Sequence, residues 1–215
     1  MHWLEDWIIP PKCVLTNERA VGLDLSPSIV AGLKHPEQVC PQCCEPSLDS
    51  MLCGACLTQA PSFDRTQVGF YFDNELVDLV HGLKYQKQVA YARLLAEMMA
   101  NHIDIGAVEL LLPVPIHPLR WRERGFNQAE LIAKILGTAL GLPVASDVLQ
   151  RKKSTLSQTG LTASGRNKNL KGAFSVDKER LQGVTKVALV DDVITTGATM
   201  SNIANAIKNC VEDIQ

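Results

Sequence analysis

The sequence predicts an α/β fold, a mostly parallel sheet flanked by helices and preceded by a small cysteine-rich module. Three observations carry this. Short continuous apolar runs at 108–114 and 186–190 read as strands buried on both faces, as parallel strands are. Segments with helical spacing of apolar residues alternate with them. Five of the seven cysteines fall between positions 40 and 56, ahead of that alternation.

Residues 1–62 are rich in Pro, Cys and turn formers and form the expected N-terminal module, with 63–215 as the second domain. Residues 66–72 read as a strand. Helices are expected over 74–83, from Leu76, Leu79, Val80 and Leu83, and over 90–102, from Leu94, Leu95, Met98 and Met99. The strand 108–114 ends in Pro113-Val114-Pro115 and leads into a basic loop. A helix at 128–140 has Asn127 as its cap and is closed by Gly141 and Pro143. A short strand surrounds Val148, Leu149 and Gln150. Residues 151–172 are polar and basic and read as a mobile loop whose end is anchored by Phe174. The strand 186–190 and a helix over 198–209 follow.

The chain has 215 residues and a net charge of −2, so any nucleic-acid binding would need a local basic patch. No apolar run is long enough to span a membrane, and the start lacks the basic and apolar regions of a signal peptide. No membrane insertion and a cytoplasmic location are expected.

The chemistry concentrates at 187–199. Four apolar residues deliver Asp191 and Asp192 to the carboxyl end of a strand, where open α/β sheets bind ligands. Thr195, Thr196, Gly197, Ala198 and Thr199 then open a helix. Small residues admit close approach of a phosphate to backbone N–H groups, and the helix dipole favours the anion. Carboxylates repel phosphate but accept hydrogen bonds from sugar hydroxyls. The run therefore reads as a divided site, with acids for a ribose and the Thr/Gly turn for its 5-phosphate. No Gly-Lys-[Ser/Thr] ending is present, which excludes a Walker-type loop.

Cys40-Pro41-Gln42-Cys43 and Cys53-Gly54-Ala55-Cys56 are two Cys-x-x-Cys knuckles separated by nine residues. Four thiolates in this pattern suit a structural, tetrahedral Zn²⁺. Cys44 is a spare beside Cys43, and Cys13 reads as a small buried residue.

Residues 187–199 resemble the phosphoribosyl pyrophosphate (PRPP) signature of type I phosphoribosyltransferases. The chain resembles the ComF family (ComFC-like competence proteins) nearly end to end. The resemblance is carried by Pro11-Lys12-Cys13, the cysteine cluster, Leu83-Lys84-Tyr85, Pro113-Val114-Pro115, the run from Arg122 to Gln128, the run from Arg166 to Phe174, and the loop itself. It implies a type I phosphoribosyltransferase-like parallel sheet, PRPP binding with Mg²⁺, and a link to DNA uptake. By the same resemblance Asp191 and Asp192 are the catalytic carboxylates, and Arg120, Arg124 and Lys84 hold the pyrophosphate. Arg122 is left between a surface role and a nucleic-acid contact. The family pattern runs past Cys210 into another strand and loop, so a shortened last strand is expected here. Two classes of function remain open. One is phosphoribosyl transfer with release of pyrophosphate. The other is a non-catalytic PRPP sensor or scaffold that contacts single-stranded DNA or a competence helicase.

Overall fold

A computed structural model describes residues 11–20, 23–152, 172–211 and 214. Seven helices and four strands are named in chain order among the described residues: α1 Pro27–Gly32, α2 Gly54–Thr58, α3 Asn74–Tyr85, α4 Ala90–Ala100, β1 Leu110–Pro113, α5 Pro118–Arg124, α6 Gln128–Leu140, β2 Leu149–Arg151, β3 Phe174–Val176, β4 Val187–Val190 and α7 Ala198–Lys208.

The two apolar runs form the centre. β1 and β4 pair in parallel, with Leu110 opposite Val187 and Pro113 opposite Val190. Because side chains alternate across a strand, this register divides the interior in two. Leu111, Ala188 and Val190 face a core built by α3, α4 and α6 through residues such as Leu79, Leu95 and Ile132. Leu110, Leu112, Val187 and Leu189 face a second core with Ile203, Ile207, Leu149 and Phe174. Both faces of β1 are therefore covered, which is why its sequence is apolar throughout. The result is an α/β structure with a small parallel sheet flanked by helices.

Most expected elements are present, with shorter strands than the apolar runs: 110–113 rather than 108–114, and 187–190 rather than 186–190. α6 matches its expected span. Asn127 accepts from the Ala129 N–H at 3.2 Å as its cap, and Gly141 closes it at φ +68°. Phe174 is buried, as expected of the end of the polar loop. The body of that loop, 153–171, lies outside the described residues.

Two expectations are corrected. Residues 66–72 do not form a strand. Their polar groups are used across the segment instead: the Thr66 N–H donates to Pro41 O at 3.2 Å, and the Gln67 side chain bonds the Asp104 backbone. The segment passes over a largely apolar cavity of about 510 Å³ that extends along β4, without pairing with that strand. The second correction is the basic loop after β1. Seven of its residues form α5, with Pro118 at the first turn, the His117 ring accepting from the Leu119 N–H at 3.2 Å, and Gly125 closing it at φ +89°. No residue of α5 is buried, so no apolar period announced it. No described helix is long and apolar enough to cross a membrane.

Candidate functional site

The carboxyl ends of β1 and β4 lie side by side, and the Val114 N–H donates to Val190 O at 2.9 Å. Whatever leaves these two strands shares one edge of the sheet, the position at which open α/β sheets bind ligands. From β4 come Asp191 and Asp192, both half-buried, with the Asp192 N–H bonded to Asp191 Oδ1 at 2.9 Å. The turn that follows exposes Thr195 and Thr196 and reaches Gly197, whose φ of +67° makes it the left-handed cap of α7. Glycine suits this position twice. It adopts the left-handed backbone without strain, and a Cβ here would sit 3.2 Å from Phe63 Cζ. Ala198 is buried and Thr199 half-buried in the first turn of α7.

The carboxylates have unequal surroundings. Lys84, near the end of α3, places Nζ 2.7 Å from Asp192 Oδ2, and the two side chains are 20% and 4% exposed. The contact is an ion pair without an aligned hydrogen bond at Oδ2. Burial pushes the Asp191 carboxyl well above the usual range. The neighbouring Asp192 charge adds to that, and Lys84 opposes it. Replacing Lys84 with Met strands a buried carboxylate and is expected to cost about 1–3 kcal/mol, read by urea unfolding at neutral pH. A change below about 0.5 kcal/mol would show that solvent already screens the pair.

Besides Lys84, Arg151 also acts on the acids. Arg151, at the end of β2, lies over the Phe174 ring at 5.7 Å. Burial draws its pKa down, Asp191 opposes that shift, and Arg120 reinforces it, so Arg151 feels both charges. Arg120 also pairs with Glu123 at 3.4 Å. Arg124 lies 5.8 Å from the Tyr85 ring centroid and donates to Gln128 Oε1. Asn127 Nδ2 donates to Val114 O at 3.0 Å, locking the start of α6 to the end of β1.

Of the residues singled out by sequence, Lys84 and Asp192 are thus in contact, and Asp191 adjoins them. Arg120 is near enough to influence Arg151, and Arg124 lies beside Tyr85, the neighbour of Lys84. Neither Arg120 nor Arg124 bonds to the 195–199 turn among the described residues. Sequence reasoning placed Arg151 in a mobile loop and passed over Tyr85. The apolar pair Val148-Leu149, followed by Gln150 and then Arg151, was the available signal that Arg151 closes a strand.

The four knuckle cysteines converge. The sulfurs of Cys40, Cys43, Cys53 and Cys56 all lie within 4.8 Å of one another, with Cys43 Sγ and Cys53 Sγ 3.6 Å apart. Tetrahedral Zn²⁺ with bonds of about 2.3 Å requires sulfurs roughly 3.8 Å apart, so the donor set fits zinc. Cys44 lies outside this group, and Cys13 is buried elsewhere. Burial, then the neighbouring thiols, push the Cys56 thiol far up. At Cys40 burial is outweighed by backbone hydrogen bonds at Cys53, Cys43 and Gln42, which bring its pKa to about 6. A metal ion would supply the charge needed to ionise the remaining thiols.

The chain is 36% identical over 172 residues to Competence protein F of Haemophilus influenzae, covering 76% of this chain and 75% of that protein. It is 35% identical over 174 residues to DNA utilization protein YhgH of Salmonella typhimurium, covering 77% and 76%. Competence protein ComFC of Streptococcus pneumoniae is 22% identical over 172 residues, covering 78% and 73%. No protein-family model and no solved structure matches this chain.

Proposed function

This chain belongs to the ComF family, and from that premise we propose that it is a PRPP-binding, phosphoribosyltransferase-like protein of DNA uptake and utilization. Residues 63–215 are the phosphoribosyltransferase-like domain and 1–62 a zinc module, working in the cytoplasm. The observation that carries the reading is the path of β4: a half-buried strand ending on the buried Val190 delivers two carboxylates, and its turn closes on a left-handed glycine at the head of an 11-residue helix. That arrangement suits a sugar phosphate. Asp191 and Asp192 accept hydrogen bonds from the ribose hydroxyls. The hydroxyls and N–H groups of Thr195, Thr196, Gly197, Ala198 and Thr199 take the 5-phosphate. Arg120, Arg124 and Lys84 neutralise the pyrophosphate, which arrives with Mg²⁺.

In the transfer, the bond from the anomeric carbon to pyrophosphate breaks with its electron pair leaving on pyrophosphate. A nucleophile with a lone pair forms the new bond and then sheds a proton. Arginines beside the leaving oxygens stabilise the charge that develops there.

The test is titration of the chain with Mg²⁺ and PRPP by calorimetry, followed by a pyrophosphate-release assay over a panel of bases. Binding is expected for the wild type and its loss, by at least about a hundredfold, for the Asp191→Ala/Asp192→Ala double variant. No heat and no thermal shift with the wild type would sink the reading. Binding without turnover would leave a sensor.

One observation favours a second role, contact with single-stranded DNA. Phe72, His81, Tyr85 and Arg124 form a continuous chain, with successive spacings of 6.5, 5.5 and 5.8 Å. Phe72 and Tyr85 are exposed, and the sequence shows no such interleaving because the four residues span 52 positions. Stacked bases use surfaces of this kind. An oligonucleotide affinity that falls with salt and drops several-fold in Tyr85→Ala is the expected result. An unchanged affinity in that variant would rule this surface out.

A further inference from the structure

The segment joining the cysteine module to α3 touches both the first knuckle and the start of α7. Gln42, between the first two cysteines, donates through Nε2 to Phe63 O at 3.0 Å. The neighbouring Pro41 carbonyl accepts from the Thr66 N–H at 3.2 Å. On its other side the segment grips α7 along its length. The Ser62 N–H donates to Ser201 Oγ at 3.0 Å, and Lys208 Nζ meets both Asp64 oxygens at 2.9 and 3.0 Å. Between these ties the Phe63 ring lies against Gly197, close enough that Cζ would stand 3.2 Å from a Cβ there.

These contacts form an unbroken series: cysteine knuckle, Phe63 backbone, Phe63 ring, Gly197. The knuckle backbone is set by its sulfurs, because Cys40 and Cys43 bracket the two residues that bond the segment. The ring is held by that backbone. Gly197 is the left-handed residue on which the turn and the first N–H groups of α7 depend. A glycine without lateral support is free to leave that conformation, and Phe63 packs where the support is needed.

We propose that Phe63 is a positioning residue that couples zinc occupancy of the cysteine knuckle to the order of the phosphate-binding turn. Loss of the metal frees Gln42 and Pro41, the segment slackens, and the turn loses the ring that holds Gly197. The cysteine module then governs ligand affinity from a distance without contributing a group to the ligand. The ligand part of this proposal rests on the reading of 191–199 as a sugar-phosphate site. The mechanical part does not.

The test uses the full zinc-loaded chain and two readouts. The first is hydrogen exchange at the Ser201 amide, which donates to Gly197 O at 2.8 Å, with an α6 peptide around Ile132 as a control for global folding. The second is calorimetric affinity for ribose 5-phosphate. Phe63→Ala is expected to speed Ser201 exchange about tenfold and weaken ribose 5-phosphate about five- to tenfold, with zinc content and α6 exchange unchanged. Phe63→Leu restores most of both. Gln42→Ala, which leaves the ring in place, gives a smaller change in the same direction.

Chelation of wild-type zinc is expected to reproduce the Phe63→Ala exchange rate, and chelation of Phe63→Ala to add little, since the two act through one series of contacts. Additive effects would overturn the coupling, as would an unchanged Ser201 rate in Phe63→Ala. Failure of the wild type to bind ribose 5-phosphate, with the exchange pattern intact, would instead remove the functional reading and leave the coupling standing.

Discussion

A chain carrying Cys40→Ser and Cys56→Ser is expected to hold no zinc and to melt at least about 10 °C below the wild type. The size follows from what the module lacks. Cys40 and Cys56 are themselves buried parts of it, whereas Leu48, Met51 and Leu57 are 80%, 68% and 71% exposed. With these larger apolar side chains in solvent, the stretch around the two knuckles has little hydrophobic core of its own to fall back on. Most backbone bonds around the knuckles are local, among them the Cys40 N–H to Glu45 O at 2.8 Å, the Cys44 N–H to Cys40 O at 2.9 Å, and a bridge between Val39 and Pro46. A metal ion held by the four sulfurs would be the remaining source of order, and in small modules of this kind metal binding supplies folding free energy. Zinc content measured by a chromogenic chelator and the midpoint of thermal unfolding check the expectation together. Retention of stoichiometric zinc by the double variant would contradict the assignment of ligands.

The same four sulfurs show how far sequence alone reaches. Two Cys-x-x-Cys pairs carry their chemistry in their spacing, so the convergence of the four sulfurs was legible in the sequence. β1 was legible because a strand buried on both faces has an apolar side chain at every position, and β4, half-buried except at Val190, shows the same kind of apolar run. α6 declared itself through Asn127 at one end and Gly141 at the other. What escaped detection depends on contacts distant in sequence. The alternating apolar residues Val68, Phe70 and Phe72 imitate a strand, yet Thr66 and Gln67 give their hydrogen bonds to Pro41 and Asp104, and no neighbouring strand receives them. α5 has no buried face, so nothing in its composition separated it from a basic loop. The ion pair of Lys84 with Asp192 spans 108 positions, and no spacing rule reports it. Resemblance alone marked Lys84, and the structure adds which of the two carboxylates it serves.

That division of labour between the carboxylates leads to an effect of opposite sign. Asp191→Asn is expected to stabilise the ligand-free protein while abolishing PRPP binding. Asp192 has Lys84 beside it, and Asp191 has burial and a neighbouring negative charge to raise its pKa. In the unfolded chain Asp191 titrates near the ordinary value of about 3.9. Below that pH both states carry the proton and its effect on stability is nil. As pH rises, the unfolded chain releases the proton while the folded site still holds it, so folding loses stability until the raised folded pKa is passed. Asparagine removes this cost and keeps an Oδ1 to accept the Asp192 N–H. The gain is expected to be near zero at about pH 4 and to grow to about 1 kcal/mol at neutral pH, read by urea unfolding across that range. Asp192→Asn should do the reverse, because it leaves Lys84 without its partner. A destabilised Asp191→Asn at neutral pH would mean that the charge on Asp191 supports the fold. A stabilised one would show that the folded protein bears an energetic cost at this carboxylate, as expected of a group retained for the ligand it binds.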